Sequence, residues 1–189
     1  MQPLIILLAA PSGTGKSTMA KRLLEDFPNL KFSISATTRP PRKCESHKTD
    51  YYYLSMDQFQ QKIDDGDFIE WEEFYGGTRY GTLRSELVKN TEKGYYTLLD
   101  VDVKGAVRIK SLFNKRCLAL FLRPKSLEIL EERLRNRNTE SESSLKLRIE
   151  RAEEELRYAS HFDNIITNDN LDKAYSELKD VVQTFINSY

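Results

Sequence analysis

The stretch LIILLAAPSGTGKSTMAKRLL, which begins at Leu4, constrains the fold more than any other part of the sequence. The residues from Leu4 to Ala9 are all apolar, as in a buried strand, and the Pro, Ser and Gly that follow break the run. A pattern of apolar residues at helical spacing starts near Gly15. The order is therefore strand, loop and helix.

The loop carries most of the phosphate-binding pattern G-x-x-x-x-G-K-[ST], with Gly15, Lys16 and Ser17 in place and Ala10 where the pattern begins with Gly. A methyl group at Ala10 is tolerable if its φ is negative, because Gly13 and Gly15 supply flexibility nearest the phosphates. Lys16 is then expected to reach the β- and γ-phosphates and Ser17 to ligate Mg²⁺. The alternative is an ordinary glycine-rich turn with a solvent-facing lysine. We expect a nucleoside triphosphate with Mg²⁺ as phosphate donor.

Length and charge narrow the class of protein. At 189 residues the chain has room for one domain with small inserted lobes, and its 29 basic and 29 acidic residues cancel. Cys44 and Cys117 form no C-x-x-C pair and are expected to be reduced and structural. The N-terminal apolar run is too short for a membrane span and lacks the features of a signal peptide. We therefore expect a cytoplasmic protein that binds neither nucleic acid nor membrane.

Strand and helix patterns alternate through most of the chain. The apolar runs YYTLLDVD, CLALFL and NIIT are each followed by a helical pattern, over Val103 to Phe113, Leu127 to Leu134, and Leu171 to Ile186. Asn170 is placed to cap the last of these helices. The alternation predicts a parallel sheet covered by helices.

Two regions interrupt this alternation. From Lys31 to Thr82 the pattern predicts short strands around one helix, Met56 to Ile63, in a small, partly antiparallel lobe. From Leu134 to Tyr158, Arg and Glu dominate with few apolar anchors, which predicts a mobile arm. The predicted fold class is α/β, a phosphate-loop NTPase type of parallel sheet flanked by helices, with a small mixed α/β acceptor-binding lobe and a helical lid inserted.

A second cluster indicates what receives the phosphate. The segment SISATTRPPR places Ser35, Arg39 and Arg42 after a predicted strand, and the two prolines stiffen the spacing between the arginines. Two guanidinium groups at fixed positions can grip one phosphate through bidentate, charge-assisted hydrogen bonds, which suits a monophosphate ester. The alternative is a solvated basic turn.

Further motifs follow in a fixed order: TTRPPR, DYYY, FIEWEEF, YGT, LDVDVKGA, an arginine-rich arm and NDNLDKAYSELK. With the phosphate loop, this series resembles the guanylate kinase family over nearly the whole chain. The resemblance implies transfer of the γ-phosphoryl group of ATP to GMP with Mg²⁺, in guanine nucleotide salvage, by a monomer or weak homodimer. It also implies one domain over 1–189, with a core of 1–33, 83–125 and 160–189, a GMP-binding lobe of 34–82 and a lid of 126–159.

The resemblance assigns roles to individual residues. Those implied for ATP binding are Ser12, Gly13, Thr14, Gly15, Lys16, Ser17, Thr18, Arg133 and Asn168, with Ser17 also holding the metal ion. Those implied for GMP binding are Ser35, Arg39, Arg42, Tyr51, Glu70, Tyr80, Thr82, Asp100 and Asp102. Those implied for catalysis are Lys16, Arg42, Arg137 and Arg148. Which of the two aspartates contacts guanine or Mg²⁺ stays open, and the chain departs from the family at Asn138, where members often have glycine in the lid.

Several of these residues have simpler interpretations. Tyr51 to Tyr53 would also suit a strand core, Glu70 a solvent-facing strand position, and Asp100 the end of a strand. Trp71, which alternates with Glu70, is expected to pack.

Two other functions fit the same fold. A peptide-binding scaffold module of the same family would lack part of the phosphate machinery, whereas Lys16, Ser17, Arg137 and Arg148 are all present. A phosphate-loop kinase acting on a sugar phosphate would have no use for a base-reading Glu70.

Overall fold

The computed structural model describes residues 2–43, 45–136 and 142–189. The strands are β1 (Ile5–Ala9), β2 (Leu30–Phe32), β3 (Ala36–Thr37), β4 (Tyr52–Tyr53), β5 (Phe68–Glu73), β6 (Arg79–Leu83), β7 (Tyr96–Asp100), β8 (Cys117–Pro124) and β9 (Asn164–Asn168). The helices are α1 (Lys16–Asp26), α2 (Met56–Asp64), α3 (Arg84–Glu92), α4 (Val103–Phe113), α5 (Leu127–Arg135), α6 (Glu142–Leu156) and α7 (Leu171–Asn187).

The helices expected from periodicity are confirmed. α2, α4, α5 and α7 begin at the expected residues and end within one residue of the expected positions. Asn170 caps α7, since its side-chain oxygen accepts from the backbone N–H groups of Asp172 and Lys173. The sequence analysis did not predict α3, whose buried residues, Glu86, Leu87 and Asn90, form no apolar stripe.

One sheet has five strands in the order β2-β7-β1-β8-β9. β2 pairs with β7 in parallel, and β8 pairs with β9 in parallel. All five residues of β1 are buried, which is typical of a strand covered on both faces. The parallel α/β fold predicted from the sequence is thus confirmed.

The other sheet has four strands in the order β4-β3-β6-β5, with β3 and β4 parallel and the remaining pairs antiparallel. The partly antiparallel lobe is therefore confirmed. Its apolar side packs on α2, where the rings of Phe59 and Phe68 stack with centroids 4.5 Å apart. Trp71 packs against this cluster, as expected, and Glu70 alternates with it along β5.

Contacts divide the described chain into two units, and each is described by itself. The first contains the residues up to Ile5 with Asn29–Leu98, and the second contains Ile6–Pro28 with Leu99–Tyr189. The second unit has a small core of its own between α5 and α6, in which Leu130, Leu134, Leu145 and Ala152 are buried together. The arginine-rich segment thus has more apolar anchors than its sequence indicated.

Among the described residues, no helix combines the length and the apolar character that a membrane crossing requires.

Candidate active site

The loop between β1 and α1 has the backbone of a phosphate cradle. Gly13 and Gly15 both have a φ of 93°, in the left-handed region that glycine adopts without strain. Within the described chain, the non-glycine residues with positive φ are Lys48 and Asn114, so Ala10 meets the condition set for it. The departure from the glycine pattern at Ala10 therefore leaves the loop intact.

Asn168 supports this loop from the end of β9. Its Nδ2 donates to the carbonyl oxygen of Thr14 over 2.7 Å, and a Cβ atom on Gly15 would lie 2.8 Å from the same nitrogen. The backbone carbonyl oxygen of Asn168 accepts from Nη2 of Arg133 over 3.2 Å. Asn168 is 3% exposed, so its side chain is a buried support for the loop, while its backbone holds Arg133.

The start of α1 is prepared for an anion. Within the described chain no side chain caps this helix, and its first turn holds no acidic residue. The N–H groups there therefore face a ligand or water, with the positive end of the helix dipole behind them. Ser17 and Thr18 are exposed in this first turn.

Lys16 is the first residue of α1 and reaches the end of the neighbouring strand. Its Nζ lies 2.5 Å from Oδ1 of Asp100 and 3.4 Å from the carbonyl oxygen of Val101. The ammonium group thus rests on an internal carboxylate next to the glycine loop. Asp102, two residues on, caps α4 by accepting from the N–H of Gly105 over 2.7 Å.

The predicted lid contributes an arginine to the same loop. Nη1 of Arg148, on α6, donates to Oγ of Ser12 over 3.1 Å. From α5, the side chain of Leu134 approaches Gly13 so closely that a Cβ atom there would lie 2.9 Å from Cδ2. Arg137 and Asn138 lie outside the described residues, as does Cys44.

Glu155 belongs to this neighbourhood and was missed by the sequence analysis. It is 9% exposed on α6, and its carboxylate accepts from Nε of Arg151 over 2.7 Å. Burial raises the pKa of Glu155, whereas the hydrogen bond from Arg151 and the charge of Lys16 lower it. The only sequence signal was an acidic residue four positions after an arginine on a helix that is rich in both.

In the other unit, Arg39 is the centre of a cluster of acidic and aromatic side chains. Nη1 and Nη2 donate to the two carboxylate oxygens of Glu45 over 2.7 and 3.1 Å, and Nε donates to the hydroxyl of Tyr80 over 3.1 Å. The guanidinium also lies 5.3 Å from the ring centroid of Tyr51 and 5.8 Å from that of Tyr53. Three predicted phosphate ligands, Arg39, Tyr51 and Tyr80, are thus brought together.

Glu45 holds this arrangement in place and was also missed by the sequence analysis. Besides Arg39, it accepts from the backbone N–H of Arg42 and the hydroxyl of Tyr53, each over 2.8 Å. The hydrogen bond from Arg39, then that from Arg42, lowers the pKa of Glu45 to about 2. Arg42 itself is exposed and contributes its backbone to this contact.

The predicted base-reading residues lie on the lobe's four-stranded sheet or next to it. Glu70 and Thr82 face each other across β5 and β6, and the hydroxyl of Thr82 donates to Oε1 of Glu70 over 2.7 Å. The carbonyl oxygen of Ser35, just before β3, accepts from the N–H of Tyr52 over 2.9 Å. Thr82 is buried and Glu70 and Ser35 are half-buried, so this is a partly desolvated polar surface.

Metal-ligating groups are sparse. No cluster of three or more His, Cys, Asp or Glu side chains with the spacing for a metal ion occurs among residues 2–43, 45–136 and 142–189. A metal ion at the phosphate loop would have to be held by Ser17, acidic side chains nearby, water and the nucleotide itself.

These features together define a class of protein. The first feature is a strand, glycine loop and helix in which a lysine contacts an aspartate at the end of the adjacent strand of the sheet. The second is a separate cluster of arginine and tyrosine. Together they are typical of phosphate-loop kinases.

Comparison with known proteins identifies the family within this class. The family model described as guanylate kinase matches residues 1–185. A guanylate kinase of Chlorobium luteolum is 46% identical over 97% of this chain and 93% of its own length, and one of Salinibacter ruber is 45% identical over 97% of both. The crystal structure of guanylate kinase from Anaplasma phagocytophilum matches with a TM-score of 0.77 and 29% identity, covering 97% of this chain and 86% of that one.

The chain belongs to the guanylate kinase family. It is an enzyme, a kinase that transfers phosphoryl groups from ATP to GMP in the recycling of guanine nucleotides.

Proposed function

We propose that this chain binds ATP at the loop between β1 and α1 and GMP at the arginine and tyrosine cluster of the lobe. The observation that carries the proposal is that Lys16 and Arg39 each hold an internal carboxylate, Asp100 and Glu45, at 2.5 and 2.7 Å. Both cations are thus already positioned to bind an anion. A phosphate brings the same oxygen chemistry to each of them.

On the donor side, the residues proposed to contact ATP extend from the loop to its supports. They are Ser12, Gly13, Thr14, Gly15, Lys16, Ser17, Thr18, Arg133 and Asn168. The buried hydrogen bond from Asn168 to Thr14 and the contact of Arg148 with Ser12 support the grouping.

On the acceptor side, the phosphate of GMP is proposed to bind Arg39, Arg42, Tyr51 and Tyr80, and guanine to bind Ser35, Glu70 and Thr82. Guanine presents its N1–H and N2 amine side by side as donors, and a carboxylate can accept from both. Of the two aspartates implied by the resemblance, Asp100 and Asp102, one completes the proposed set. Because Asp100 pairs with Lys16 and Asp102 caps α4, we propose that Asp100 is the one that acts on the substrates.

The proposed mechanism needs no general base. A phosphate monoester has a second pKa of about 6, so the attacking oxygen of GMP is already ionised at neutral pH. That oxygen forms the new bond to the γ-phosphorus of ATP as the bond to the bridging oxygen breaks, which gives GDP and ADP. The chain contributes positioning and positive charge, from Lys16, Arg42, Arg148 and Arg137, the last of which lies outside the described residues.

Mg²⁺ is the proposed metal ion, with Ser17 as its protein ligand. The hydroxyl of Ser17 is a hard oxygen ligand, which suits Mg²⁺ better than a softer metal. The lack of an acidic cluster in the described chain fits an ion held mainly by water and phosphate. When bound, Mg²⁺ neutralises charge that develops on the phosphates.

The proposal extends to the organisation of the chain. We propose one catalytic domain with a core of 1–33, 83–125 and 160–189, a GMP lobe of 34–82 and a lid of 126–159. A cytoplasmic monomer or weak homodimer that binds neither nucleic acid nor membrane stays a prediction from the sequence.

The test is an assay of ADP formation from ATP with GMP, AMP, CMP and UMP in parallel. We expect GMP to be used with a kcat/KM at least about 10³-fold above that of AMP. Comparable rates with all four acceptors would contradict the proposed guanine site.

A further inference from the structure

Glu86 is a buried carboxylate that the proposed reaction does not use. It lies in the first turn of α3 and is 3% exposed. Oε1 accepts from the hydroxyl of Tyr52 over 2.8 Å, and Oε2 accepts from the backbone N–H of Ile34 over 3.3 Å. Oε1 also lies 3.3 Å from Nζ of Lys89, whose side chain is 53% exposed.

Both of these half-buried partners, Ile34 and Tyr52, border Ser35. Ile34 is the preceding residue, and the N–H of Tyr52 donates to the carbonyl oxygen of Ser35 over 2.9 Å. One carboxylate therefore anchors the chain before Ser35 directly and holds the tyrosine whose backbone anchors Ser35 itself. Glu86 lies 52 residues from Ile34 and 34 residues from Tyr52 in the sequence. These are therefore tertiary contacts, which no local sequence motif would indicate.

We infer that Glu86 is a positioning residue for GMP recognition: it fixes Ser35 in the lobe without touching the substrate. This inference rests on the proposed role of Ser35 as a guanine contact. Glu86 sets the place of the Ser35 hydroxyl, so its loss weakens the contact with the base and leaves ATP binding and the phosphoryl transfer step unchanged.

The environment of Tyr52 fits this role. Burial, then the hydrogen bond to Glu86, raises the pKa of Tyr52 to about 12, which is consistent with a protonated hydroxyl that donates to Glu86. Ser33, two residues before Ser35, is 1% exposed and donates its N–H to the carbonyl of Leu98 over 3.0 Å. The chain on the N-terminal side of Ser35 is thus tied down at two successive points, and Glu86 supplies the second.

A double-mutant cycle between Glu86 and Ser35 tests the inference. Glu86→Leu removes both anchors at similar volume, and we expect it to raise the KM for GMP about 10-fold with kcat and the KM for ATP nearly unchanged. Ser35→Ala is expected to raise the KM for GMP by a similar factor. In the Ser35→Ala background, Glu86→Leu is expected to add little, because the hydroxyl it positions is gone.

Glu86→Gln is the conservative control. Its amide oxygen can accept from Ile34 while its NH₂ donates to the hydroxyl of Tyr52, so we expect a KM for GMP close to that of the wild type. If Glu86→Leu does not fold, Tyr52→Phe takes its place, since it removes one anchor and keeps the ring. We expect Tyr52→Phe to raise the KM for GMP about threefold, and to add nothing in the Ser35→Ala background.

The outcomes separate this inference from the site on which it rests. An unchanged KM for GMP in Ser35→Ala would remove Ser35 from the guanine site and the inference with it. If Ser35→Ala raises the KM for GMP but Glu86→Leu has no effect, the role proposed for Glu86 is wrong and that of Ser35 stands. The same conclusion follows if Glu86→Leu raises the KM for GMP equally in the wild-type and Ser35→Ala backgrounds.

Discussion

Arg39 and Glu45 form a two-pronged ion pair, in which both terminal nitrogens of the guanidinium donate to the two carboxylate oxygens. The side chains are only 16% and 18% exposed. Because the pair uses the same N–H groups that would grip a phosphate, the carboxylate holds Arg39 in a binding conformation before any substrate arrives. The Glu45 carboxylate thus orients the arginine, but a bound phosphate would have to displace it from the same N–H groups.

This pair predicts acid sensitivity. The pKa of Glu45 is lowered to about 2 from a usual value of 4.5, so its stabilising effect is complete above that usual value and is lost as the pH falls towards 2. We expect Glu45→Gln to lower the melting temperature at about pH 7, and the gap to wild type to shrink at about pH 3. Thermal unfolding followed by circular dichroism measures this. Glu92→Gln, an exposed carboxylate on α3, is the control, and a gap that does not depend on pH would contradict the expectation.

Lys16→Ala is expected to abolish transfer and spare GMP binding. The ammonium group contacts Asp100 and Val101, both in the same contact unit as the phosphate loop, whereas Arg39, Tyr51 and Tyr80 belong to the other unit. We expect kcat to fall about 10³-fold or more, with the Kd for GMP within about threefold by calorimetry. Lys21→Ala, an exposed lysine on the same helix, is the control. An equal loss of GMP affinity would mean that the two sites are wrongly separated.

Arg148→Met is expected to act on turnover. Its guanidinium reaches Oγ of Ser12 in the loop at which we propose that ATP binds, and there it would meet the negative charge that spreads over the transferred group. Kinetics should give a kcat lower by about 10³-fold and a KM for GMP that changes little. The same result is expected for Arg137→Met. Lys146→Met, an exposed cation on the same helix, should leave both constants alone, and normal turnover in both arginine variants would remove the lid from the mechanism.

Asn168→Asp is expected to damage the loop itself. The substitution places a carboxylate oxygen where Nδ2 now donates to the carbonyl of Thr14, so two acceptors would face each other in a buried site. We expect a loss of about 1–3 kcal/mol in the free energy of unfolding and a higher KM for ATP. Asn187→Asp is the control, because its exposed side-chain oxygen already accepts from Gln183. The free energy of unfolding is measured by urea denaturation. An unchanged value in Asn168→Asp would show that the hydrogen bond from Asn168 to Thr14 does not contribute to stability.

Glu70→Gln is expected to narrow the preference for GMP over AMP. Oε1 of Glu70 already accepts from Thr82, which orients the carboxylate, and an amide would place a donor against the donors of guanine. Steady-state assays should find kcat/KM for GMP reduced about 10²-fold or more and the KM for ATP nearly constant. Glu73→Gln alters the other side of the same strand and is the control. If the mutant keeps its preference for GMP over AMP, Glu70 is not the residue that recognises guanine, and Asp100 or Asp102 becomes the candidate.

The phosphate loop could be predicted from the sequence because its parts are consecutive. Gly13, Gly15 and Lys16 lie on one short segment between a strand and a helix, so their order fixes their geometry. Helices α4 and α7 could be predicted for a similar reason, since one apolar stripe against a sheet determines where each begins and ends.

The carboxylates that organise these sites could not be found in this way. Glu86 and Glu155 are single acidic residues among many, and burial by distant elements distinguishes them from solvated ones. Glu45 differs from them in that its partners, such as Arg42 three residues earlier, are close in sequence. That spacing alone is common in solvated segments, so it gave only a weak indication of the contact. A buried carboxylate can be recognised only from its hydrogen-bond and ion-pair partners, and the fold brings many of these together from distant parts of the chain.

The contact between Gly13 and Leu134 changes how experiments on the loop have to be interpreted. A side chain at Gly13 would collide with Leu134, whose helix also carries Arg133. Any larger residue at this position must displace the end of the Leu134 side chain, and at a φ of 93° it also strains the backbone of the loop itself. A library of Gly13 variants would therefore rank substitutions by loop strain and by repacking against the leucines of α5, and a weak variant there would say little about nucleotide affinity alone.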